Sequence, residues 1–223
     1  MRPSQSVRSL GAAASVLAVG LVLAACGGGE DAARPSTAPS NDAALGKSLT
    51  QADVAPGQTV MTVPSDDAFQ AAMTSVQGVE SADIRPAECK QRNVAAQQEL
   101  METVKSGVQQ NIMKDGRVLY GINFLPDSAK LSVFEAAGTG PCAEVQIGGA
   151  KQTTVRKALP DGTGAEGFVL EITRVSGEQT TRAASAYFTG AGVTALVNAN
   201  PGADGKVDTK AFDGVVKTVA AKL

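Results

Sequence analysis

From Val118 to Asn198 the chain alternates apolar and polar residues in short runs, and most of these runs stop at glycine. Val118, Tyr120, Ile122 and Phe124 fall on one side, with Leu119, Gly121 and Asn123 on the other, behind an Asp115-Gly116 turn. Successive side chains of a strand point to opposite faces, so a period of two predicts a strand with one face in a core. Ala143, Val145 and Ile147 repeat the pattern up to Gly148-Gly149, which suits a two-residue hairpin, and 152–157 returns. Phe168, Leu170 and Ile172 alternate after the Asp161-Gly162-Thr163-Gly164 loop. The stretches 181–188 and 193–198 complete the series, broken by Gly177 and by Gly190 to Gly192.

Helical spacing flanks this series. A β-prone stretch at 58–63 precedes Ser65, which reads as an N-cap, with Asp66 and Asp67 in the first turn where the helix dipole favours them. Phe69, Ala72, Met73 and Val76 follow at helical spacing, and Gly78 is the expected stop. A second helix is expected over 91–105, and a third from Asp127 to Gly138 carrying Leu131 and Phe134. The last begins at Asp208 and carries Phe212, Val215, Val216, Val219 and Leu223 as one stripe, suited to covering a sheet. The expectation is an α+β domain: a curved antiparallel sheet of about five to six strands, with helices packed on one face.

The first residues belong to something else. Arg2 and Arg8 give a positive start, Ser9 to Ala25 carries no charge, and Leu23-Ala24-Ala25-Cys26 ends the run. The order is that of an export signal, and its apolar core falls short of the ~20 residues of a spanning helix. Small residues before a cysteine, then Gly27-Gly28-Gly29, resemble the lipobox of bacterial lipoproteins. A plain secretory signal also ends in small residues, so the alternative is ordinary cleavage beside a chance cysteine. On the lipobox reading 1–25 is a signal peptide and Cys26 receives a thioether-linked diacylglycerol. Each buried CH₂ contributes roughly 0.8 kcal/mol, so two or three acyl chains hold the protein on the membrane. Residues 26–48, with three glycines, Pro35 and Pro39, read as a flexible linker, and 49–223 as an extracytoplasmic domain.

That leaves about 175 residues, enough for one domain with its own core. Losing Arg2 and Arg8 with the signal takes the formal charge from −2 to −4, and no basic stretch points to nucleic acid. The chain has no histidine, which removes Ser-His-Asp and Cys-His catalysis and most catalytic zinc sites. No spacing marks a paired-carboxylate or Ser-Lys site, so no catalysis, cofactor or metal is expected. Asp66-Asp67 read as helix-dipole partners, and Asp161 to Gly164 as a turn without a P-loop lysine.

With Cys26 taken by lipid, Cys89 and Cys142 remain, an even pair that an oxidising compartment would bridge. Closing a loop of about fifty residues contributes roughly 4 kcal/mol in the chain-entropy model. A reactive or metal-binding pair is the alternative, with neither a histidine nor a CxxC spacing to support it.

Leu49-Thr50-Gln51-Ala52-Asp53, Pro56-Gly57 and Ile84-Arg85-Pro86-Ala87-Glu88-Cys89 resemble the opening of actinobacterial sensor-like domains. These occur as lipoproteins and as the extracellular sensors of PknH-type serine/threonine kinases. The resemblance implies an α+β fold, a disulfide from the Pro-x-Glu-Cys cysteine to one at a later strand start, matched by Cys142, and a ligand groove. The kinase sensors typically carry four cysteines, and no kinase stands on this chain, so signalling would need a separate partner. The reading is a lipid-anchored protein on the extracytoplasmic face of the cell membrane, sensing a small ligand or docking an envelope protein. The alternative is a lipid or glycolipid carrier. Val169 opposite Phe168 and Leu170 favours a cavity, whereas Glu171, Thr173 and Arg182 favour water on the second face.

Overall fold

The computed structural model describes residues 42–126 and 129–223. The signal peptide, Cys26, most of the linker and the expected helix start at Asp127 lie outside the described residues.

Nine strands form one antiparallel sheet: β1 (Thr59–Val63), β2 (Ile84–Arg85), β3 (Val108–Lys114), β4 (Arg117–Pro126), β5 (Glu144–Ile147), β6 (Ala150–Lys157), β7 (Glu166–Ser176), β8 (Gln179–Gly190) and β9 (Val193–Ala199). Their spatial order is β1-β3-β4-β9-β8-β7-β6-β5-β2. The α+β class and the antiparallel sheet stand, but nine strands replace the expected five or six. The largest omission is β3. Its Gln109, Gln110 and Asn111 are all buried, so consecutive polar residues hide the period of two. Of the other two beyond the expected six, β1 is the β-prone stretch at 58–63, and β2 is a two-residue pairing of Ile84 with Ile147 and Arg85 with Gln146, too short to leave a pattern.

Helices lie on both faces, not one. On the first face sit α2 (Ser65–Ser81), α3 (Ala87–Val104) and α4 (Leu131–Gly138), where Ala68, Ala72, Leu100 and Phe134 join Leu125, Phe168, Leu170 and Leu196. On the second lies α5 (Thr209–Ala220), where Phe212, Val216 and Val219 join Phe124, Phe188, Val193 and Val197. Leu196 and Val197 thus go to opposite cores, and every residue of β9 is buried. Burying an apolar side chain of this size contributes about 1.5–3 kcal/mol. Asp208 caps α5 as expected, its carboxylate accepting from Ala211 N at 3.0 Å.

Three boundaries shift. α2 passes through Gly78 to end at Ser81, and α3 begins at Ala87 rather than 91. The folded unit also begins before Leu49, because α1 (Asp42–Gly46) docks with Ala44 fully buried. Leu49 beside it is tied to β3 by Gln110, which donates to its carbonyl at 3.1 Å and accepts from its N–H at 2.8 Å.

Cys89 and Cys142 are bonded, with Cα atoms 5.4 Å apart. Together with Val79, Ile84, Val145 and Ile147 they form a third buried cluster, which staples α3 to the start of β5.

Candidate functional site

The row of residues on the helix-covered face of β7 runs Phe168, Leu170, Ile172, Arg174. Its partners on β6 are Arg156 opposite Leu170, Thr154 opposite Ile172, and Gln152 opposite Arg174. The sheet face therefore turns from apolar to polar within two residues. Above this transition α3 and α4 do not close on the sheet. A crevice of about 50 Å³ remains, lined by Asn93, Gln97, Phe134, Gly138, Gln152, Thr154, Leu170, Ile172 and Tyr187, with Ala96 and Ala137.

Local packing explains each wall. Asn93 Nδ2 donates to Cys89 O at 2.8 Å and to Ala137 O at 3.4 Å, holding α4 against α3. The end of α4 comes down close to the floor because position 138 is glycine. A Cβ there would meet Leu170 Cδ1 at 2.8 Å and Thr154 Cγ2 at 3.2 Å. Tyr187 stacks between Phe134 and Phe168 at centroid distances of 5.3 and 5.2 Å. Burial pushes its phenol above the ordinary tyrosine range, partly offset by a hydrogen bond with Ser185, so Tyr187 stays a neutral donor. Ser185 in turn donates to Asn198 Oδ1 at 2.7 Å.

Gln152 of the lining is bonded to Arg174, which does not itself line the crevice. Arg174 is only 8% exposed. Its Nη2 donates to Gln152 Oε1 at 2.8 Å, and its Nε has no acceptor. Burial lowers its pKa below the ordinary value, but a guanidinium starts so high that it keeps its charge. Gln97 Oε1, across the crevice, is buried without a donor.

A second cavity, of about 250 Å³, lies under α5 on the opposite face, between Leu49, Val54, Ile112, Tyr120 and Val215, with Asp53 and Thr218 at its border. Asp53 accepts from Thr50 N at 2.7 Å and Thr50 Oγ1 at 2.8 Å, and pairs with Lys222 at 2.8 Å. Lys47 Nζ donates to Leu223 O at 3.0 Å. The start of the domain is thereby clasped to its C-terminus.

No family model, curated protein or solved structure matches the chain.

Of the residues singled out from sequence, Cys89 and Cys142 are brought together away from both cavities, and Cys26 lies outside the described residues. Among the described residues no helix is long and apolar enough to cross a membrane, and no group of His, Cys, Asp or Glu could hold a metal ion. Sequence reasoning passed over Arg174, Gln152 and Gln97. A signal for Arg174 was there: it continues the apolar face of Phe168, Leu170 and Ile172 in register. The alternation of Phe168, Leu170 and Ile172 was not followed on to Arg174, although β7 runs to Ser176.

Proposed function

We propose that this chain is the precursor of a lipoprotein, held at the extracytoplasmic face of the cell membrane through lipid on Cys26. Its domain senses a ligand or docks an envelope protein without catalysis. The charge-free run ending Leu23-Ala24-Ala25-Cys26 supports the anchor. The resemblance of Leu49 to Asp53 and of Ile84 to Cys89 to actinobacterial sensor-like domains supports the role.

The observation that carries the binding reading is the crevice between α3, α4 and the sheet, whose lining sets Asn93, Gln97, Gln152 and Thr154 among apolar side chains. A concave pocket with a few convergent polar groups among apolar ones is the usual place for a ligand. The absence of histidine and of any paired-carboxylate spacing supports binding over turnover. The two-faced hydrophobicity that favours a carrier has another use here. Val169 packs into the α5-side core, which also holds Ala186 and Phe188, so both faces are apolar because helices cover both.

Native mass spectrometry of the full-length protein, extracted from its own membranes in detergent, tests this reading. A bare protein mass, or a small polar adduct lost on dialysis, is expected. A stoichiometric lipid adduct beyond the covalent anchor, removed only by organic extraction, would replace it with the carrier reading.

A further inference from the structure

We infer that the cavity under α5 is a second binding site, on the face away from the crevice, for a small neutral molecule with an apolar body and one hydrogen-bonding oxygen that meets the Tyr120 hydroxyl. The inference goes beyond the reading above and does not depend on it.

The cavity is built on three sides. Ile112 and Tyr120, directly opposite each other on β3 and β4, form its floor. Leu49, Val54 and Gln58 line one wall, and α5 lines the other with Ala211, Gly214, Val215 and Thr218. These four α5 positions lie three, four and seven residues on from the first, the spacing of one helix face. The first wall is held in place before any ligand arrives. Gln110 bonds both backbone groups of Leu49, and Asp53 pairs with Lys222 just beyond the end of α5. A site whose walls are already fixed loses little freedom when it fills. Ala55, Ala211 and Gly214 are exposed, which leaves a way in.

Gly214 shows that the space is kept open. Glycine is the poorest helix former after proline, and Gly214 sits in the middle of α5. Packing does not require it, because a Cβ there would meet nothing within 4 Å. On the face shared with Ala211, Val215 and Thr218, that Cβ would project toward the cavity. The volume of about 250 Å³ exceeds the ~150 Å³ that holds benzene and falls short of the ~300 Å³ where pockets for drug-sized molecules begin.

Tyr120 supplies the polar contact. It is 6% exposed, and among the described residues its hydroxyl has no hydrogen-bond partner. The buried atoms sealed from water without a partner are Gln97 Oε1, Arg174 Nε and Thr194 Oγ1, so the unpartnered Tyr120 hydroxyl is one that a water-sized group can reach. Burial, then the Asp208 carboxylate, push the phenol above the ordinary tyrosine range, so it stays a neutral donor. Asp53, the charged residue of the lining, is engaged by Lys222 and Thr50. No free charge in the lining balances an ion, and an unpaired ion is costly to bury, so the ligand is neutral.

The test uses the full-length protein in detergent, with p-cresol, toluene and p-toluate as probes of one shape and different polar groups. The methyl resonances of Ile112 and Val215 should shift and saturate with p-cresol, while those of Ile172, in the crevice, should not. Toluene should bind ~3–10-fold more weakly, and p-toluate more weakly still. Gly214→Leu should fold at least as stably as wild type and weaken p-cresol ~10-fold or more, and in the same micelles it corrects for partition into detergent. Should that variant misfold, Tyr120→Phe carries the test: it should bind p-cresol no more tightly than toluene. Shifts that do not saturate, an unchanged affinity in folded Gly214→Leu, p-toluate binding as tightly as p-cresol, or a preference for p-cresol that survives Tyr120→Phe overturns the inference. Saturation at Ile172 alone places the probe in the crevice, which overturns this site and leaves the reading above standing.

Discussion

Single residues decide how the domain is closed at its two ends. At one end Lys222, then the Thr50 amide and hydroxyl, hold the Asp53 carboxyl at a pKa of about 2, below its ordinary 3.8. A depressed carboxylate contributes stability above its ordinary pKa and loses it as pH falls through the folded value. We therefore expect Asp53→Asn to lower the denaturant midpoint at pH 7. The gap to wild type should close as pH drops from 3.8 to about 2. At the other end, the Cys89–Cys142 bond closes a sequence separation of 53. Replacing both cysteines with alanine should cost about 2–5 kcal/mol, read from urea unfolding of the oxidised protein. A double variant as stable as wild type would show that the buried apolar cluster around the bond suffices. The pairing was legible from cysteine parity once Cys26 was set aside. The Asp53 clasp was not, because nothing local links Asp53 to Lys222, far along the chain.

Elements were legible where one face of each was apolar and the other polar. The turn-punctuated series from β4 to β9 and the stripe of α5 were of this kind. Legibility failed at β3, where Gln110 turns inward to bond Leu49, and at β2, where two residues carry the pairing. The covered faces were misjudged for a related reason. A stripe on α5 says that the helix packs on a sheet, not which side it takes. β9, buried at every residue, was the sign that both faces are used. If α5 closes the second core, Phe212→Ala should cost ~3–5 kcal/mol, since the ring is 2% exposed. Differential scanning calorimetry checks this. A loss below 1 kcal/mol would mean that the α5 side contributes little. The crevice belongs to this scale too. Arg174 falls in register with Phe168, Leu170 and Ile172 on β7 and was still passed over, because a charged residue on a strand reads as solvent-facing.

At the scale of the molecule, the sheet has helices on both faces and the start of the domain is clasped to its last residues. Residue 42 leaves the α5 side, where Ala44 and Leu49 join that core. The polar crevice lies on the opposite face. If the proposed linker joins the domain there, it leaves the other face clear for the binding that we propose. The account depends most on that tether. Intact-mass spectrometry of the protein extracted from membranes under denaturing, non-reducing conditions measures it directly. The account predicts a chain that begins at Cys26, carries the added mass of a diacylglycerol, and is two hydrogens lighter than the reduced form. A chain that begins at Met1, or a mature chain with an unmodified Cys26, would contradict it.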